Sequence, residues 1–112
     1  MRSEFVRLMT HTLTIHKRER DWQGVFKDIK VTSDVKGFVQ YGKKLVTDSK
    51  GEEVVSSATI FLRNDAPVDP RHEHWLIDQT APYVRSNMEV IRIDPIDDPR
   101  TGETHHYEVA VR

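Results

Sequence analysis

Asp48-Ser49-Lys50-Gly51-Glu52-Glu53-Val54-Val55-Ser56-Ser57-Ala58-Thr59-Ile60-Phe61-Leu62-Arg63 is the stretch that decides the fold. Its first four residues are turn chemistry. Asp and Ser open a type I turn, and Gly takes the left-handed position that follows. The ten residues from Val54 then read as a strand. Ala58, Ile60 and Leu62 share one face, and Thr59, Phe61 and Arg63 share the other. A turn feeding a strand of this quality predicts a β-hairpin with its tip at 48–51.

Outward from it, the same period of two recurs. Residues 6–16 read as an opening strand, with Leu13 and Ile15 alternating with threonines, whose branched Cβ suits a pleated surface. The charged run Lys17-Arg18-Glu19-Arg20-Asp21 is expected to end it. Gly24 then marks a turn, with Trp22 and Phe26 as aromatic anchors. Residues 29–41 are strand material, and Gly37 within them suggests a bulge or a close backbone approach. Residues 64–70, with two prolines, are a loop. Residues 71–79 hold the only plausible helical turn, although Trp75-Leu76-Ile77 suits a strand equally well. Residues 80–83 read as a loop. Residues 83–94 form a strand, with Met88, Val90 and Val84 inward. Residues 95–102 make a hairpin loop, and residues 104–112 a closing strand with Tyr107, Val109 and Val111 on one face. Five to six short strands with little helix predict an all-β fold, a small antiparallel β-barrel with a protruding hairpin.

The 112 residues fit one domain, 1–112, with the hairpin arm at 41–53. There is no cysteine, which excludes disulfides, Cys-ligated zinc and thiol chemistry. No apolar run approaches the roughly 20 residues of a membrane span, so no membrane role is expected. The first residues lack the apolar core of a signal peptide. The net charge of −1 conceals an asymmetry. Residues 1–50 carry eleven Lys/Arg against six acids, and residues 51–112 carry six Arg against twelve acids. Halves of +5 and −6 suggest an interaction surface, unless strands from both halves interleave and mix the charges in space.

Candidate chemistry is sparse. His72-Glu73-His74 with His105-His106 offers imidazoles, but the metalloprotease pattern needs His at i and i+4 on a helix, and no metal site is expected. The carboxylate pairs Asp97-Asp98, Glu52-Glu53 and Asp65/Asp69 fall in predicted turns, where solvated acids are the rule. General acid–base work needs a carboxyl whose surroundings shift its pKa. The five glycines are dispersed, with no phosphate-cradling loop and no dinucleotide fingerprint. No enzyme and no cofactor is expected. A nucleic-acid module is the second class, since Tyr41, Lys43, Lys44 and Lys50 would suit a small barrel that binds oligonucleotides. The overall pI of about 6.6 is low for a dedicated binder. The hairpin is itself unusual, because residues 42–55 are long, charged and too polar to stand alone.

The run Gly51-Glu52-Glu53-Val54-Val55-Ser56-Ser57-Ala58-Thr59-Ile60-Phe61-Leu62, followed by Asp65 and Val68-Asp69, resembles the head–tail connector proteins of long-tailed phages. It is most similar to their head-closure, or stopper, proteins. The resemblance covers residues 8–112 and rests on strand order and a loose pattern rather than on any catalytic residue. It implies a barrel subunit in a twelve-fold ring, lying between a portal-side adaptor and a tail completion or tail tube protein. Such a ring helps retain packaged DNA and offers the tail its attachment surface. It also implies a place in the virion, at the portal vertex, reached from the host cytoplasm. A tail completion or tail terminator protein shares the size and fold. By position, Tyr41, Lys43, Lys44, Asp48, Lys50, Glu52 and Glu53 are the gate-hairpin candidates. Arg18, Arg20, Asp65, Asp69, Asp97 and Asp98 are the subunit-interface candidates.

Overall fold

The computed structural model describes residues 9–48, 50–79 and 85–112. Six strands follow one another: β1 (His11–Arg20), β2 (Phe26–Thr47), β3 (Glu53–Arg63), β4 (Glu73–Asp78), β5 (Arg85–Asp97) and β6 (Thr104–Val111). Every pairing is antiparallel, and the spatial order β1-β2-β3-β6-β5-β4 closes on itself through β1 and β4. The protein is an all-β barrel, and no helix occurs among the described residues.

The core is built by the expected alternation. Leu13, Ile15, Val39, Ala58, Ile60, Leu62, Leu76, Met88, Val109 and Val111 are buried and form one cluster. The valine, leucine, isoleucine and methionine side chains contribute roughly 1.5–3 kcal/mol each on leaving water. Gly37 faces this cluster from β2. A Cβ there would lie 2.9 Å from Leu13 Cδ1, 3.0 Å from Leu62 Cδ2 and 3.1 Å from the Phe61 carbonyl oxygen, so a side chain at this position would push both leucines aside.

β2 has 22 residues and would reach about 70 Å if straight, yet the longest extent of the molecule is 44 Å. It bends at irregularities in its two ladders. One lies between the pairs Leu13↔Val35 and Ile15↔Thr32, where Asp34 takes the left-handed conformation with φ 57°. Asp tolerates that region better than most residues. The second lies between Tyr41↔Ala58 and Lys44↔Ser56, where β2 holds one extra residue at the root of the arm.

Several expectations need correction. The charged run 17–20 does not end β1 but continues it to Arg20, because Arg18 and Glu19 pair with Asp28 and Lys27 of β2. Trp22 is not an anchor. It is 90 % exposed at the tip of the turn, whereas Phe26 is half-buried beneath Arg20. The ambiguous segment near Trp75 is the strand β4, with His74, Leu76 and Asp78 buried. On β5, an irregularity between Val90 and Arg92 leaves Ile91 buried and Val90 only half-buried. β5 also runs on through Pro95 to Asp97. The expected loop at 80–83, the start of the strand at 83–84 and residues 6–8 of the opening strand lie outside the described residues.

Three turns share one device. Asp21 Oδ1 accepts hydrogen bonds from the backbone N–H groups of Gln23 (2.8 Å) and Val25 (3.0 Å). Asp48 Oδ1 does the same for Lys50 and Glu52, both at 2.9 Å. Asp98 Oδ1 accepts from the N–H of Arg100 at 2.9 Å. Each turn ends at a glycine with positive φ: Gly24, Gly51 and Gly102. The carboxylate satisfies amides that the ladder has released, and the glycine lets the chain reverse.

Candidate functional site

The sequence-selected residues fall into three places. The first is the arm. Beyond Tyr41 the β2 and β3 limbs pair Lys44↔Ser56, Leu45↔Val55, Val46↔Val54 and Thr47↔Glu53. Lys43, Lys44, Lys50, Glu52 and Glu53 are exposed. Leu45 and Val55, directly opposite one another, are 61 % and 55 % exposed, while Val46 and Val54 are half-buried. The arm therefore has a wet aliphatic face and a covered one. The arm also touches β5, since the Arg92 guanidinium donates to the Thr47 carbonyl at 3.3 Å. Across its three lysines (Lys43, Lys44, Lys50) and three acids (Asp48, Glu52, Glu53) the arm carries no net charge.

Tyr41 and Asp48 have structural duties. The Tyr41 hydroxyl donates to Asp78 Oδ2 at 2.6 Å, and Asp78 is 3 % exposed. The root of the arm is thus tied to β4 by a hydrogen bond to a buried carboxylate. Asp48 is the acceptor of its turn. Sequence alternation alone does not reveal the Tyr41–Asp78 link, because the two residues lie 37 positions apart.

The second place is the outer wall where β1, β2 and β4 meet. Arg18 Nε donates to Asp28 Oδ1 at 2.8 Å, and its guanidinium lies over the Trp75 ring, 5.0 Å from the centroid. Arg20 lies over Phe26 at 4.6 Å. Arg18 and His16 together hold the Asp28 carboxyl below its ordinary value by hydrogen bonding. Both interface arginines are therefore engaged with an aromatic ring. A cleft of about 270 Å³ adjoins them, lined by Arg20, Phe26 and Trp75 and by Asp48 and Lys50 of the arm tip. The two ends of β2 approach the same cleft. Its lining also includes Glu73, Glu89 and Arg112, the last donating to Glu89 Oε1 at 3.0 Å, so neither sign of charge dominates.

The third place is the set of acidic loops. Asp65 lies 3.5 Å from Arg63 Nε. Asp69 receives the Arg71 side chain at 3.0 and 3.1 Å together with the Arg71 N–H, and this holds its carboxyl well below the usual carboxylate range. Asp97 accepts from the Thr104 hydroxyl at 3.2 Å. The Asp98 carboxyl is lowered first by the Arg100 backbone N–H. The carboxyls of Asp28, Asp69 and Asp98 are thus all moved toward the ionised form. A general acid requires the opposite shift. Among the described residues, no group of three or more His, Asp or Glu is placed to hold a metal ion. His74 faces inward, and its Nε2 accepts the Asp69 N–H at 3.2 Å. The His105 and His106 rings meet edge-on, 5.1 Å apart.

The charge asymmetry survives folding. The strand order keeps β1 and β2 side by side and places β3, β6, β5 and β4 together along the rest of the wall. The basic half of the sequence therefore forms one sector of the barrel and the acidic half the other. Comparison with family models, with curated proteins and with solved structures gave no match.

Proposed function

We propose that this chain is a structural subunit that works by assembly, and that its setting is the head–tail connector of a long-tailed phage in the head-closure position. The observation that carries the reading is a closed barrel with oppositely charged sectors that extends two ribbons bearing exposed aliphatic side chains. One ribbon is the arm, with Leu45 and Val55. The other is the β1–β2 hairpin, with Val25, Ile29 and Val31. Exposed aliphatic groups rimmed by charge suit contact with another protein surface. A ring is a closed heterologous assembly, in which one face of each subunit meets a different face of the next. Sectors of opposite sign favour that head-to-tail contact and set its register.

In this reading the arm lines the channel, and Lys43 and Lys44 meet DNA phosphates at its constriction. The adaptor on the portal side and the completion protein on the tail side contact the two ends of the barrel. Stacking of single-stranded bases has less support, since the rings of Phe26 and Trp75 already lie against arginines.

The test is an arm shortened by deleting Asp48 to Gly51. DNA retention in filled heads and tail joining are then measured. Loss of retention is expected. Normal retention with normal tail joining would sink the gate assignment.

A further inference from the structure

A closed barrel abolishes edges only where every strand has two neighbours. β2 and β3 overrun that region. From Phe26 to Lys36, β2 pairs with β1 on one side, and its pairing with β3 begins only at Gly37. Among the described residues, no strand pairs with the other side of this eleven-residue stretch. Residues 53–57 of β3 are in the mirror situation. They follow β2 on one side, but pairing with β6 begins at Ala58. Again, no described strand occupies the other side.

Both open edges are sticky in the same manner, the β2 stretch 26–36 with Lys27, Lys30 and Lys36 against Asp28 and Asp34, and the β3 limb with Glu53 at its start. The β2 edge carries Ile29 and Val31, 47 % and 50 % exposed, with Lys27 and Lys30. Lys30 stands directly opposite Lys17, a like-charged cross-strand pair that disfavours the isolated ribbon. The β3 edge carries Val55, 55 % exposed and beside Leu45, with Glu52 and Glu53. An exposed aliphatic edge strand invites another strand. Backbone hydrogen bonds supply the affinity of such strand addition, and side chains its specificity.

We propose that the two edges belong together: the β2 edge of one copy receives the β3 limb of the arm of a neighbouring copy, head to tail. In a parallel register Lys27 faces Glu53 and Ile29 covers Val55, pairs that the alternation places on one face of each strand. The contact is heterologous, so each copy keeps one edge of either kind for the next until the chain of copies closes. This rests on the ring reading and names the surfaces that make the ring. It also gives the arm a partner for its wet face.

The absence of native cysteine makes the contact directly testable. The full chain carrying Ile29→Cys and Val55→Cys is treated with a short bis-maleimide. A ladder of dimers, trimers and higher species is expected. A control pairing Val55→Cys with Thr101→Cys on the β5–β6 turn should stay monomeric. Adding Lys27→Glu and Lys30→Glu to the reactive pair should cut the ladder about tenfold, since attraction becomes like-charge repulsion. Adding Glu52→Lys and Glu53→Lys as well should restore it, and far-UV circular dichroism verifies folding of each variant. A ladder as strong in the control, or one indifferent to charge reversal, overturns the proposal. Sedimentation of the unaltered chain separates the two readings. Closed rings without a ladder would refute these edges alone, whereas a monomer at every concentration with no ladder would refute the ring as well.

Discussion

His74 is 1 % exposed on the inward face of β4, and burial, with a further contribution from Lys17, depresses its pKa from 6.5 to about 4. The neutral ring is the folded form, because only an unprotonated Nε2 can accept the Asp69 N–H. The unfolded chain takes up this proton near pH 6.5 and the folded chain only near 4. Between these values the unfolded state binds more protons, so stability falls as pH drops through that window. The loss is on the order of 2 kcal/mol. The lowered carboxyls Asp28, Asp69 and Asp98 act in a separate window. Their stabilisation is full above about pH 4 and is lost below it. Urea denaturation at pH 7 and pH 4.5 should show the drop in the unaltered protein and a much smaller one in His74→Gln. An equal drop in both would mean that another group carries the acid sensitivity.

At the scale of elements, the Asp-x-x-Gly turn explains how a chain so rich in charge holds its hairpins. Asp21 satisfies two backbone N–H groups, and the Asp21 N–H and Val25 carbonyl close the turn at 3.0 Å. Replacing Asp21 with Ala leaves those amides to water and should cost about 1 kcal/mol, a magnitude typical of a lost side-chain cap. Thermal unfolding would register it as a lowered midpoint of several degrees. Asp21→Asn, which keeps the acceptor, should retain most of the stability. The same turn was legible at Asp48-Ser49-Lys50-Gly51, since acceptor and glycine sit at fixed offsets. It was less legible at Asp21, because Trp22 reads as buried material by type alone. The turn lies past the last β1–β4 pair, Arg18↔Glu73, where β4 has not yet begun, and that ring stands in water.

For the whole molecule, the division of charge between sectors predicts salt dependence. Association between copies through exposed charges weakens as ions screen them, with a Debye length of about 10 Å at 0.1 M and about 3 Å at 1 M. Sedimentation of the unaltered chain at 50 mM and 500 mM salt should show less self-association at the higher concentration. Insensitivity to salt would assign the contact to the aliphatic groups alone. The sequence located the boundary between the two charge signs at the arm tip. It left open whether the strands would interleave, because strand order in a sheet is set by packing and not by chain order. The observed order keeps the two basic strands adjacent.

The sequence by itself determined the fold class, the inward faces of β3 and β6 and the turn at the arm tip. Those properties depend on neighbours two to four residues apart, where the alternation of side chains and the chemistry of Asp and Gly act directly. The tertiary structure decided what depends on distant residues. It joined Tyr41 to Asp78, placed Arg18 and Arg20 over aromatic rings, and carried β1 through its charged run by pairing it with β2. It also set where the barrel closes and where β2 and β3 run past their partners. Strand ends leave edges open only relative to strands from elsewhere in the chain, and no local pattern encodes that.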